Sequence, residues 1–90
     1  MGIVAVKIKI MPASVETDIK KIEEGVVKIL KENKVENAKF EVQPIAFGLK
    51  ALILLFGWPE EKELEKLEEE LKKIENVSSV AIIDMRRAIG

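Results

Sequence analysis

The side chains able to do chemistry in this chain are carboxylates, lysines, a few hydroxyls and one adjacent pair of arginines. Glu60 to Glu75 holds eight glutamates against four lysines, a net of −4. Clustered carboxylates can serve as general acid and base or bind a divalent cation. Here lysines interleave with them at i, i+4, as Glu69 with Lys73, which is the pattern of a solvated helix face. Ser14, Ser78 and Ser79 have no histidine to activate them, because the chain contains none. The absence of cysteine removes thiolate chemistry and disulfides. The glycines are scattered and make no phosphate cradle. No obvious nucleophile–base pair is left, so bond-making chemistry is not expected and no cofactor or metal is implied. What stands out instead is Arg86 beside Arg87 in the last strand-like segment, and Phe47 in the short interruption from Pro44 to Gly48.

The chain has 90 residues, 48% hydrophobic and 34% charged, which suits one globular domain over residues 1–90. The acidic segment leaves +3 for the rest of a chain whose total is −1. Nucleic-acid domains usually carry a basic excess, so direct nucleic-acid binding is not expected. No uncharged apolar run reaches the roughly 18 residues a membrane span requires. Met1 to Lys9 alternates Val/Ile with Lys and lacks the three regions of a signal peptide, so a cytoplasmic location is expected.

The surrounding pattern supplies the elements that must position these residues. Val4, Val6, Ile8 and Ile10 alternate with Lys7 and Lys9, which predicts a half-buried strand over 3–11. Val15, Ile19, Ile22, Val26 and Ile29 recur at helical spacing, predicting a helix over 15–32 with Ser14 as its cap. Gly25 inside it predicts close packing against a strand. Lys39 to Gln43 reads as a short strand and Leu49 to Phe56 as a central one. Leu64, Leu67, Leu71 and Ile74 predict a second helix over 60–75, with Pro59 at its first position and Glu60, Glu61 and Glu63 at its positive end. Trp58 is expected to pack at the start of that helix. Asn76 to Ser79 reads as a turn and Val80 to Arg86 as a last strand.

The order strand–helix–strand–strand–helix–strand is the split βαβ pattern. It predicts an α+β, ferredoxin-like βαββαβ sandwich: a four-stranded antiparallel sheet, order 4-1-3-2, with both helices on one face. In that topology the Pro44–Gly48 loop and the Arg86–Arg87 pair lie at opposite ends of the sheet, separated by ~25 Å. Any function using both must contact a large partner at two places.

Three segments carry a resemblance. Pro44-Ile45-Ala46-Phe47-Gly48-Leu49-Lys50-Ala51-Leu52 places an aromatic between two small residues, followed by an aliphatic residue and lysine. Glu16-Thr17-Asp18-Ile19 continues to Ile22-Glu23-Glu24. Val77 to Arg87 closes the series. In this order and spacing they resemble the elongation factor 1-beta family, and the short length resembles its archaeal form. The resemblance implies exchange of GDP for GTP on elongation factor 1-alpha, the GTPase that carries aminoacyl-tRNA to the ribosome. It implies that a basic residue near the C-terminus reaches the magnesium and phosphate region of the GTPase. Arg87 holds the aligned position, with Arg86 beside it, and either can be the one that acts. It implies that Phe47, with Gly48 and Lys50, meets a second domain of the GTPase. This sequence departs from eukaryotic members in having Arg87 where they have lysine, Met11 where they have tryptophan, and Ala88, Ile89 and Gly90 after the basic pair.

Two other readings share the topology. An RNA-recognition motif stacks bases on aromatics of its central strands, and the first and third strands here lack that signature. A small-molecule-sensing or oligomerising module would be favoured by an apolar patch on the helix-free face, where Leu52 and Leu54 are candidates. The oligomeric state is not legible in the sequence.

Overall fold

In the computed structural model, which describes residues 2–87, strand β1 (Ile3–Pro12) pairs antiparallel with β3 (Lys50–Pro59) on one side and β4 (Val77–Arg87) on the other. Strand β2 (Lys39–Pro44) lies outside β3, so the order is β2-β3-β1-β4, the expected order read from the other edge. Helices α1 (Ile19–Glu32) and α2 (Glu65–Lys72) cross over on one face, giving the βαββαβ sandwich. Register explains why one face is dry. Val6, Ile8 and Ile10 sit opposite Phe56, Leu54 and Leu52 of β3, and Ile8 and Ile10 also sit opposite Ile82 and Val80 of β4. Side chains directly opposite share a face. That face meets Ile22, Val26 and Leu30 of α1 and Leu67 and Leu71 of α2 in a single buried cluster.

Register also corrects one expectation. Leu52 and Leu54 face the helices and are buried, so they form no patch on the open face. Ala51 and Ile53 occupy the open face, yet only 0% and 2% of their surface is exposed. Ile53 lies between Lys9 and Glu41 in register, and long polar side chains keep their stems on apolar surface. The chain thus covers the centre of its own open face. Phe40, Phe56 and Trp58 all share the helix side, so among the described residues the open face has no aromatic on which a base could stack.

Element boundaries differ from the sequence pattern for local reasons. Helix α1 starts at Ile19, capped by Asp18, whose carboxylate accepts from Lys20 N–H at 3.0 Å. Ser14 instead closes a separate turn, accepting from Thr17 N–H at 3.2 Å. Val15, which extends the helical periodicity, is 58% exposed outside the helix. Helix α2 starts at Glu65 rather than residue 60 because β3 runs on through Trp58 to Pro59. Pro59 pairs with Ile3, and Glu60 N–H donates to Gly2 O at 2.9 Å. The acidic residues from Glu60 to Glu63 therefore form a connection, not a first helical turn. The Trp58 indole is buried and donates to Lys62 O at 3.0 Å, pinning that connection just before α2, with the Lys62 ammonium 4.9 Å from the ring centroid. Strand β4 begins at Val77, so Ser78 and Ser79 are strand residues and not a turn. Gly25 is closely packed, but on Ile74 beyond α2 rather than on a strand: a Cβ there would lie 3.3 Å from Ile74 Cγ2. Met1, Ala88, Ile89 and Gly90 lie outside the described residues, and the departure expected of the last three lies there with them.

Leu71 has 0% exposure and joins α2 to the sheet. Leu71→Ala should lower stability by about 2–5 kcal/mol. A reduced urea midpoint with an unchanged slope would register this, and a loss below about 1 kcal/mol would mean that α2 is not docked as described.

Candidate functional site

The hairpin joining β2 to β3 turns at Ala46-Phe47-Gly48, and its geometry is demanding. Phe47 has φ 64° and ψ 29°, and Gly48 has φ 79°. Leu49 N–H donates to Ala46 O at 3.4 Å and Ile45 N–H donates to Leu49 O at 2.7 Å. Two successive positive φ values inside such a closure are the pattern of a type I′ turn, the tight turn that suits the twist of paired strands. Glycine meets that demand at no steric cost; phenylalanine does not, and left-handed backbone at a bulky residue is rare. The strained residue is also the most exposed large apolar one among the described residues, with 96% of Phe47 open to solvent. Phe47 is thus not a core aromatic closing the sheet end.

Around this tip exposed apolar residues stand among polar ones. Val42 lies on the helix side of the edge strand β2 but is 52% exposed. Val15 is close by: its Cγ1 lies 3.8 Å from where a Cβ on Gly48 would stand. Val15, Val42, Gly48 and Lys50 line an open cleft of about 520 Å³ between the hairpin and the segment before α1. Lys50, the first residue of β3, is exposed beside it.

The arginine pair sits at the other end. Arg87 lies opposite Val4 and Arg86 opposite Ala5, while Val4 lies opposite Trp58. From Lys50 to Trp58, at ~3.3 Å per residue, the two ends are about 26 Å apart along the strand. The molecule measures 42 × 23 × 19 Å, so this separation spans much of its long axis. Alternation sends the two arginines to opposite faces. Arg86 shares the open face with Asp84 and pairs with it, Nε to Oδ2, at 3.1 Å. Arg87 points to the helix side and its Nη2 pairs with Glu60 Oε1. A bulge between Ile82 and Asp84 sets this outcome, since it shifts the β1–β4 register between Ile8 and Lys7.

The structure thus separates the expected site residues into two groups, Phe47, Gly48 and Lys50 at one end and Arg86 and Arg87 at the other. It adds Asp84 and Glu60, which sequence reasoning missed. The i, i+2 spacing of Asp84 and Arg86 on a strand was a readable signal. Glu60 and Arg87 meet only through the pairing of three strands. Among the described residues no three carboxylates converge to hold a metal ion, and no helix is long and apolar enough to cross a membrane.

A small α+β sandwich with an exposed aromatic at one end, an exposed arginine pair at the other, and its polar chemistry in surface ion pairs fits a module that acts on a large macromolecular partner. Residues 5–88 match the EF-1 guanine nucleotide exchange domain. Among curated relatives, elongation factor 1-beta of Archaeoglobus fulgidus is 42% identical over 86 residues, covering 94% of this chain and 97% of its own. That of Methanosarcina barkeri is 41% identical over 88 residues, covering 97% and 99%. The chain belongs to the EF-1 guanine nucleotide exchange domain family, and its role is nucleotide exchange on elongation factor 1-alpha. The C-terminal domain of the MgtC protein from Mycobacterium tuberculosis shares the fold alone, with a TM-score of 0.62, 16% identity, and coverage of 98% of this chain and 88% of that one.

Asparagine tolerates left-handed backbone and is favoured before glycine in this turn. Phe47→Asn should therefore stabilise the isolated protein by about 1 kcal/mol, seen as a higher urea midpoint. A destabilised variant would show that the exposed ring is holding the tip in place.

Proposed function

We propose that the chain accelerates GDP release from elongation factor 1-alpha by gripping it at both ends of the sheet. Phe47, with Gly48 and Lys50, docks on a domain away from the nucleotide. Arg87 enters the magnesium and phosphate region. The observation that carries this reading is the pairing of an exposed, backbone-strained aromatic at one end with a polarised arginine pair about 26 Å away. Backbone strain at an exposed residue costs stability without a folding benefit, and such outliers cluster where a partner is met. A large aromatic in a fixed, solvent-facing position loses little freedom on docking and supplies much apolar area.

An exchange factor makes and breaks no bond in its partner. It binds the nucleotide-free GTPase more tightly than the loaded one, so by linkage nucleotide binds the complex more weakly by the same factor. Magnesium neutralises the phosphates and is the natural point of attack. A guanidinium delivered there repels the metal and competes for its carboxylate and phosphate oxygens. Arginine suits this competition because its planar fork can engage two oxygens together. Arg86 and Arg87 point to opposite faces, so one site on the GTPase takes one of them, and the helix-side Arg87 is assigned that role. Lys50 lies beside the docking tip rather than near the nucleotide. Such a factor works with the ribosome in the cytoplasm.

The test is release of a fluorescent GDP analogue from the matching elongation factor 1-alpha. Substoichiometric protein should accelerate release. Replacing both arginines by alanine should slow release ~10-fold or more, about 1.4 kcal/mol, while Arg86→Ala alone should cost less than Arg87→Ala. Phe47→Asn should require more factor to reach half of the maximal rate, with that maximal rate retained. A double arginine variant as active as the unaltered chain would remove the arginines from the mechanism.

A further inference from the structure

We propose that Glu60 is a positioning residue for Arg87, and that Gly2 is the position that makes room for it. This role rests on the assignment of Arg87 above. The register of β1 with β3, with Ile3 opposite Pro59 and Glu60 N–H bonded to Gly2 O, places Gly2 opposite Glu60. By alternation Gly2 and Glu60 share the helix side with Val4, Trp58 and Arg87. Arg87 therefore reaches Glu60 diagonally across the end of β1. The carboxylate lies in the space a side chain at residue 2 would fill, since a Cβ on Gly2 would run into Glu60 Oε2.

The two partners are not equivalent. Glu60 is tied by its backbone to the first strand and its side chain is 37% exposed, whereas that of Arg87 is 77% exposed. Glu60 is the fixed member and Arg87 the one being held. A guanidinium has five N–H donors, and only Nη2 is engaged by Glu60. The remaining donors are not used by Glu60 and the side chain is largely exposed, so Arg87 can keep Glu60 while it meets an oxygen acceptor on the GTPase. Ordering a long arginine side chain costs conformational entropy, which Glu60 removes from the step at which Arg87 acts. Asp84 does the same for Arg86, but on the open face, so it does not substitute for Glu60.

The same GDP-release assay tests this as a double-mutant cycle over a range of factor concentrations. Glu60→Ala should lower the maximal release rate 3- to 10-fold, with the half-saturating concentration changed less than two-fold. Glu60→Gln, whose amide oxygen still accepts a hydrogen bond, should recover part of that rate. Gly2→Ala, which keeps both charged groups but obliges the flexible end of Glu60 to swing aside, should lower the rate in the same direction but by less than Glu60→Ala. In an Arg87→Ala background, Glu60→Ala should have no further effect, a non-additivity that a purely structural role would not give. An unchanged maximal rate in Glu60→Ala beside an impaired Arg87→Ala would overturn the role of Glu60 alone, as would a full Glu60→Ala loss in the Arg87→Ala background. An Arg87→Ala variant as fast as the unaltered chain would overturn the assignment of Arg87, and the role of Glu60 with it.

Discussion

The positions of Phe47 at one end of the sheet and of Arg86 and Arg87 at the other are set by the pairing of β1 with both of its neighbours. Val6, Ile8 and Ile10 of β1 must face the helices, because a slip of one residue would turn them to the open face. Once that choice is made, the β3 register fixes how far the β2–β3 hairpin projects at one end and where Glu60 stands at the other. The β4 register, with its bulge after Ile82, fixes which arginine points to which side. The burial of a row of aliphatic side chains thus determines the spacing of the hairpin tip and the arginine pair, which share no residue with that row. Among the described residues no polar side chain is buried, so the core serves only as scaffold and the polar chemistry lies on the surface.

The hairpin tip shows what that scaffold sustains. A phenylalanine in left-handed backbone is held there by the ladder on either side, from Pro44 opposite Lys50 inward. The glycine that the turn favours is supplied at Gly48 and not at Phe47. Local preference would place asparagine or glycine at both positions. On the proposed reading, the reason for this broken local rule lies outside the isolated chain. The ring is held away from the core, and no rearrangement is needed to present it.

The fold was largely legible because its signals are periodic. Alternation in β1 and the spacing of Ile22, Val26, Leu67 and Leu71 named both the elements and the faces they bury. Boundaries were less legible because capping and edge pairing compete with periodicity. Asp18 displaced Ser14 as the cap, and the pairing of Pro59 with Ile3 took residues from the start of α2. The face of Leu52 and Leu54 was misread because a nearly continuous apolar run carries no alternation; only the register resolves it. For the site, the types and positions of Phe47, Arg86 and Arg87 were readable. The ion pair of Arg87 was not, because Glu60 and Arg87 are distant in sequence and meet through the edges of three strands.

On the proposed reading the two ends differ in how they bind, and an exchange factor needs that difference. An exposed ion pair is worth only about 0–1 kcal/mol, so Arg87 can shift toward a new oxygen acceptor and back at small cost. Because it is already paired with Glu60 and has further N–H donors, Arg87 can add an oxygen acceptor at the nucleotide end without giving up that pair. Apolar docking of Phe47 supplies net attraction. On the proposed reading, affinity resides mainly at the hairpin and discrimination between loaded and empty GTPase resides at the arginine. Placing both functions in one contact would tie tight binding to slow release. Separating them by the length of β3 lets the factor hold its partner while the nucleotide site opens and then yields to incoming GTP.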